Sequence, residues 1–462
     1  MAGLSPTLLE QLSEVVGTEN VTVDPPLLEQ YGQDWTRFLN PDPSAIVFVR
    51  DTAQLVSLVG FANEHRIGLV PSGGRTGLSG GATAIDGEIV VSFDKMNQIL
   101  SFNETDQTVT VQAGLITENL QQFARDKGLF YPVDFASSGS SQIGGNIATN
   151  AGGIKVLRYG LTRQWVAGLK VVTGAGHVLE LNKALVKNAT GYDLRHLFIG
   201  SEGTLGFVTE ATIKLAEPPK QLSVLLLAVP KMTDTISILS AFKSGVSLTA
   251  FEFFSDEALK HVLQRGDMTA PFSEAAPFYV LLEFENDDEA LAAGSAFEHC
   301  VEAGWAIDGI LAQSEQQNRD LWRYREDISE SITPRMPYKN DVAVRVCDVP
   351  AFLRAVDEKV EERYPEFEVV WFGHIGDGNL HLNILKPDSW EAADFKQECE
   401  KVSDELLEIV QFYGGSVSAE HGVGVLKRNQ LHFSRSADEI ALMSAIKHSF
   451  DPNGIMNPGK LL

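Results

Sequence analysis

Three glycine-rich stretches in the first half of the chain constrain its fold more than any other feature. The first, residues 72–81, offers Ser72, Gly73, Gly74, Arg75, Thr76, Gly77, Ser79 and Gly80. The second, residues 137–153, carries Ser138, Gly139, Gly144, Gly145, Asn146, Thr149, Gly152 and Gly153, and the third, residues 200–206, carries Glu202 and Gly203. Glycine lets a backbone turn its N–H groups toward one anion without interference from a Cβ, and such nests bind phosphates. Any one stretch alone reads more readily as ordinary turns. Three together, rich in Ser, Thr and Asn and poor in charge, are better explained by a single large phosphate-bearing cofactor. No Gly-Lys-Ser/Thr follows at P-loop spacing, and no G-x-G-x-x-G introduces the first helix of a dinucleotide fold.

The pattern around these stretches is mixed. Residues 8–16 read as a helix, 45–49 as a strand, 53–64 as a helix and 67–70 as a strand, a βαβ unit that ends in the first glycine stretch. Strands are expected at 88–93, 108–112 and 207–215, with a helix near 116–126. Pro218-Pro219 then punctuates the chain. Beyond it, strands such as 278–284 alternate with charged helices such as 351–364 and 391–410. The expected organisation is residues 1–217, 218–413 and a closing segment 414–462.

The second half carries its own signal around Asp377-Gly378. Residues alternate on both sides of this pair, which suits a two-residue hairpin turn. Such a turn would set Gly376 against Asn379, Ile375 against Leu380 and His374 against His381. Directly opposed side chains have Cβ atoms about 4.5–5.5 Å apart, close enough for two imidazoles to grip one ion. Asn383 falls on the same face as His381. Two histidines near a turn are more often polar surface. The dense glycine around them and the carboxylate of Glu420, beside His421, shift the balance to a His374-His381-Glu420 metal site.

The formal net charge of −25 excludes nucleic acid and anionic membrane surfaces as natural partners. The three cysteines show neither a disulfide framework nor CxxC spacing. The start lacks a signal-peptide pattern and no apolar run is long enough to span a bilayer. A cytoplasmic enzyme that is not membrane-embedded is expected.

The glycine stretches, in this order, resemble the flavin-binding domain of the vanillyl-alcohol oxidase/p-cresol methylhydroxylase superfamily. Residues 72–82 resemble its pyrophosphate loop, 144–153 the segment along the isoalloxazine and ribityl chain, 200–206 a third flavin contact, and Asn457 an asparagine that reaches the flavin. His374, His381, Glu420 and His421 match the metal and base positions of the FAD-linked D-2-hydroxyacid dehydrogenase branch, which includes D-lactate dehydrogenases, glycolate oxidase subunits and D-2-hydroxyglutarate dehydrogenases. The resemblance implies an α+β fold: a two-subdomain FAD-binding domain of p-cresol methylhydroxylase type, an α+β substrate domain on an antiparallel sheet, and a C-terminal helical segment completing the active site. Relatives that attach flavin through histidine carry it in the first glycine loop. Here Arg75-Thr76 stands there, so FAD is expected to bind non-covalently.

The implied chemistry is oxidation of a 2-hydroxyacid, with the hydride passing to flavin N5. His374, His381 and Glu420 would hold a divalent ion, zinc first, with manganese, cobalt or iron also suited. His421 would be the general base. Arg325 and Lys339 match substrate-binding positions of the D-2-hydroxyglutarate branch, with Ser329 and Asn383 placed beside them. Two cations suit a dicarboxylate, hence D-2-hydroxyglutarate with D-malate second, whereas D-lactate or glycolate needs one fewer. A D-lactate or glycolate enzyme, even as one subunit of a complex, remains the near alternative and a zinc hydrolase the distant one. With no iron–sulfur motif, electrons should leave to an electron-transfer flavoprotein or a quinone. A homodimer stays open.

Overall fold

The computed structural model describes residues 3–36, 39–285 and 290–462. They fall into two compact units: one of residues 1–153, 160–218 and 420–462, the other of residues 154–159 and 219–419.

In the first unit, β1 (Val21–Thr22), β2 (Ala45–Phe48), β3 (Leu69–Ser72) and β4 (Ile89–Ser92) form a sheet of order β1-β2-β4-β3. β2 and β3 both run parallel to β4, which lies between them, while β1 is antiparallel. Parallel strands covered on both faces read as unbroken apolar runs. Accordingly Val47 and Val91 enter the main core while Ile46 and Val90 enter a smaller one on the other side. The crossover helix Thr52–His65 is capped by Asp51, whose carboxylate accepts the Gln54 N–H at 2.8 Å, and buries Leu55, Leu58, Val59 and Ala62. A second, antiparallel sheet holds β5 (Ile99–Asn103), β6 (Thr108–Gln112), β7 (Val166–Thr173), β8 (Val178–Leu181) and β9 (Gly206–Lys214), in the order β5-β6-β9-β7-β8.

The tail is tied into this unit by charge. Lys447 Nζ donates to the carbonyls of Thr204 and Met456, both at 2.9 Å, and pairs with the buried Asp451 carboxylate at 2.9 Å. Asp451 in turn accepts the N–H groups of Ile455 and Met456. Asn457 and Ile455 exchange backbone hydrogen bonds with Leu69 of β3 at 2.8 and 2.7 Å, and the buried Lys460 pairs with buried Glu88 at 3.1 Å.

The second unit is one antiparallel sheet of seven strands: β10 (Leu222–Val229), β11 (Leu248–Ser255), β12 (Phe278–Glu285), β13 (Asp308–Leu311), β14 (Tyr338–Ala343), β15 (Glu368–His374) and β16 (Asn379–Leu385). Their order is β13-β10-β12-β11-β15-β16-β14. One face carries Leu226, Phe254, Tyr279, Leu281, Val370 and Phe372 into a core with Trp322 and Ile328 of the helices Glu315–Glu326 and Ile328–Ile332. Residues 154–159 join this unit because Ile154 packs on that core and Lys155 pairs with Glu283, which also accepts from Thr249 and from Trp322 Nε1.

Removing Lys447 leaves Asp451 buried without its cation, a loss on the order of 3–5 kcal/mol for a broken buried pair. Lys447→Met should therefore lower the calorimetric unfolding midpoint by several degrees; an unchanged midpoint would show that the tail docks without it.

Candidate active site

In the first unit the three glycine stretches meet. A Cβ on Gly74 would lie 2.2 Å from the Ser140 carbonyl oxygen, and one on Gly203 would lie 2.4 Å from Pro71 Cγ, at the head of the first stretch. Close backbone approach is therefore what these glycines provide. Gly144, Gly145, Asn146 and Thr149 lie on the short helix Ile143–Thr149, flanked by Ser138 and Gly139 on one side and Gly152 and Gly153 on the other. The Asn146 side chain donates to Thr117 Oγ1 at 2.7 Å, and Thr149 Oγ1 donates to the Gly145 carbonyl at 3.1 Å, so both brace the helix.

Arg75 adopts φ +57° and lies over the Tyr31 ring at 4.2 Å, with Nη1 donating to the Gly73 carbonyl at 3.0 Å. Tyr31 and Gln142 both donate to Asp94 at 2.7 Å, fixing the surroundings of that loop. Thr76 and Gly77 continue it half-buried, Gly80 takes φ +79°, and the Ser79 carbonyl accepts the N–H groups of Val425 and Leu426 at 3.0 and 3.1 Å. Around the junction Ser72 Oγ, Gln142 Oε1 and Asn457 Oδ1 are buried with no hydrogen-bond partner among the described residues. Native interiors rarely leave such groups unmatched. A polar, phosphate-bearing cofactor fits this cradle.

Glu202 turns its side chain elsewhere. Its buried carboxylate accepts the N–H groups of Val423 and Gly424 at 2.8 and 2.7 Å, just past Glu420-His421. Burial pushes its pKa up, and these two donors only partly offset that. Asn457 Nδ2 donates to the Glu202 and Gly81 carbonyls at 2.7 and 2.9 Å. The third glycine stretch thereby fixes the segment that bears His421.

In the second unit the expected register is corrected. His374 pairs with Asn379 and Phe372 with His381, so Ile375, Gly376, Asp377 and Gly378 form the connection. A two-residue turn of the expected kind needs φ > 0 at both central positions; of the pair only Gly378 has it, at +87°. The N–H groups of Asp377 and Gly378 close onto the His374 carbonyl, and the Gly376 N–H is drawn to the Phe251 carbonyl of β11 at 3.0 Å. His374 and His381 consequently stand diagonally rather than opposed, still on one face, with ring centroids 5.4 Å apart.

That face gathers more than the hairpin. Across β14, His381 faces Asp341 and Asn383 faces Lys339. His374 Nδ1 lies 2.8 Å from Glu252 Oε2, and His381 Nδ1 lies 3.6 Å from Asp341 Oδ1. An imidazole whose Nδ1–H points at a carboxylate presents Nε2 as a ligand, the usual outer-shell arrangement at metal centres. The donor set thus fits a divalent ion. Burial raises the Glu252 pKa, but His374 and Arg325 together more than reverse this, holding it below the usual carboxylate range.

Arg325 is buried on the helix Glu315–Glu326, with Nη2 2.9 Å from Glu252 Oε2 and its guanidinium 4.8 Å over the Phe372 ring. Lys339 Nζ donates to Ser329 Oγ at 3.2 Å. Buried Asn383 points Nδ2 at the carbonyls of His381 and Val370, at 3.3 and 3.5 Å, and so buttresses the hairpin. The second unit ends at Ala419, whose N–H donates to the Asp341 carbonyl at 3.4 Å. Glu420 follows it, consecutive Cα atoms being about 3.8 Å apart; the chain then passes to the first unit through Glu420 and His421.

Glu252 and Asp341 had no assigned role from sequence. The signal for Glu252 was present: a lone carboxylate inside the apolar strand Phe251-Glu252-Phe253-Phe254 demands a buried cation.

Comparison with known proteins agrees with this layout. Residues 43–182 match the family described as FAD binding domain, and residues 218–461 match FAD linked oxidases, C-terminal domain. D-2-hydroxyglutarate dehydrogenase of Stutzerimonas stutzeri is 59% identical over 99% of this chain and 99% of its own length. The enzyme of that name from Xanthomonas citri pv. viticola is 53% identical, covering 97% of this chain and 96% of the relative. Among solved structures, 4-ethylphenol oxidase from Gulosibacter chungangensis superposes with a TM-score of 0.76 at 17% identity, covering 100% of this chain and 98% of that one. p-Cresol methylhydroxylase gives a TM-score of 0.75 at 15% identity, covering 98% and 96%. These two share the fold. An FAD-binding domain accounts for the glycine cradle, which a zinc hydrolase would leave unexplained.

Overpacking of a tight contact costs about 1–3 kcal/mol, so Gly74→Ala should weaken retention of FAD by roughly tenfold or more, read from the flavin absorbance of the purified protein. Full retention would show that the two loops do not need this approach.

Proposed function

We propose a substrate and mechanism for a chain that belongs to the FAD-linked oxidases, in the family of the D-2-hydroxyglutarate dehydrogenases: it oxidises D-2-hydroxyglutarate, and secondarily D-malate, to the 2-oxoacid. FAD binding and oxidoreductase chemistry follow from family membership. The substrate rests on one observation above the rest: Lys339, His374, His381 and Asn383 share one sheet face, and Arg325 reaches Glu252 beside His374.

Bound FAD supplies the hydride acceptor, and a divalent ion, zinc in the first instance, supplies the positive charge that acidifies the substrate hydroxyl. His374 and His381 would hold that ion through Nε2, with Glu420 as the carboxylate ligand. Glu252 and Asp341 orient the two imidazoles. His421 takes the hydroxyl proton, because an imidazole titrates near working pH and can accept it. Arg325 grips the far carboxylate with its planar donors, and Lys339, steadied by Ser329, supplies a second cation. Desolvation lowers the Lys339 pKa, which suits an ammonium that exchanges water for a substrate anion. Asn383 keeps the hairpin in register. Among the described residues no helix is long and apolar enough to cross a membrane, and a separate acceptor, an electron-transfer flavoprotein or a quinone, would take the electrons.

With an artificial acceptor, a panel of D- and L-2-hydroxyacids should single out D-2-hydroxyglutarate, and a chelator should abolish turnover; preference for D-lactate would overturn the substrate. His421→Ala should keep flavin and metal yet lose about 10²–10⁴-fold in the anaerobic rate of flavin reduction. An unchanged rate would remove His421 from the role of base.

A further inference from the structure

Glu252 is the most enclosed carboxylate on the site face, its side chain 1% exposed. Its Oε1 accepts from His374 Nδ1 at 2.9 Å, while Oε2 lies 2.9 Å from Arg325 Nη2 and 2.8 Å from the same imidazole nitrogen, so one carboxylate faces both groups. Two donors therefore claim one anion where water cannot screen either, so what one takes the other loses. Arg325 keeps reserve donor capacity: its Nε is buried with no partner among the described residues.

We propose that Glu252 couples the two halves of the site, so that a second substrate carboxylate on Arg325 tightens the grip of His374 on its metal. The proposal rests on the metal and substrate reading above and deepens it. A carboxylate arriving on Arg325 neutralises the guanidinium from the other side. The charge of Glu252 then falls more fully on His374 Nδ1–H, which makes Nε2 a stronger ligand. In the other direction, a cation on Nε2 draws Glu252 toward His374 and loosens its hold on Arg325, leaving the guanidinium readier for substrate. Coupling of this kind is reciprocal. A monocarboxylate that does not reach Arg325 leaves the Arg325–Glu252 pair intact. Glu252 is thus a positioning residue that makes the firmness of the metal site depend on the length and charge of the substrate.

The test uses the full-length, FAD-loaded protein stripped of metal by a chelator and titrated with Zn²⁺ against a chromophoric competitor. Saturating glutarate is compared with saturating butyrate. Both carry a carboxylate that can meet the ion, neither has the hydroxyl, and only glutarate has the second carboxylate. Glutarate should tighten Zn²⁺ binding at least about fivefold over butyrate. Glu252→Gln keeps the shape of the side chain but removes its charge. This variant should bind Zn²⁺ about 10–100-fold more weakly and show no difference between the two acids. Arg325→Met should bind Zn²⁺ at least as tightly as the unaltered protein and be equally indifferent to glutarate. A glutarate effect that survives in Glu252→Gln, or one that butyrate matches, overturns the coupling alone. Failure of the unaltered protein to bind Zn²⁺ at all would overturn the metal reading and the coupling with it.

Discussion

A carboxylate removed from water must find positive charge, and on the seven-stranded sheet that requirement organises the whole site face. Glu252 lies in the middle of an apolar strand, fully enclosed, and its neighbours answer it: His374 from the adjoining β15 and Arg325 from the helix laid across the sheet. Asp341 does the same for His381 from β14, with Asn379 Nδ2 donating to the same Oδ1 at 2.8 Å. Ring orientation, the nitrogen left for a ligand and the position of the Arg325 guanidinium all follow from where these two acids were placed. An uncompensated charge there would cost several kcal/mol, so the arrangement is stiff as well as specific.

The first unit solves a different problem, that of bringing backbone rather than side chains to a ligand. Its three glycine stretches abut because Gly74 and Gly203 leave no room for a Cβ. The tail then locks them from behind through Lys447, Asp451 and Asn457. Glu202 joins this framework to the segment carrying His421, since its buried carboxylate accepts the N–H groups of Val423 and Gly424. The third glycine stretch and the segment carrying His421 are therefore tied together within this unit.

Much of this was legible in the sequence, for identifiable reasons. Glycine density located the cradle because close approach leaves a compositional mark. Apolar runs mark β2, β4 and β12, and the helices Thr52–His65 and Val349–Arg363 stand where the sequence places them to within a few residues. What the sequence hid were properties of tertiary contact. The Asp377-Gly378 turn opened because the Gly376 N–H is bonded to Phe251, more than a hundred residues earlier, and no local rule contains that bond. The sequence marks Arg325 as a cation for substrate, but its partner Glu252 sits on a strand remote in sequence, which no local pattern contains. Asn146 and Glu202 lie on the glycine-rich stretches, but the direction of their side chains depends on Thr117 and on the tail. Position in a motif was readable; the target of each side chain was not.

The central proposal is that two imidazoles, set by buried acids on one sheet face, hold a metal ion. Anomalous diffraction from crystals of the FAD-loaded protein, recorded at the zinc absorption edge, tests it directly. A single strong peak about 2.0–2.1 Å from Nε2 of both His374 and His381 is expected; a map without density there, or with the peak on other side chains, would contradict the proposed site.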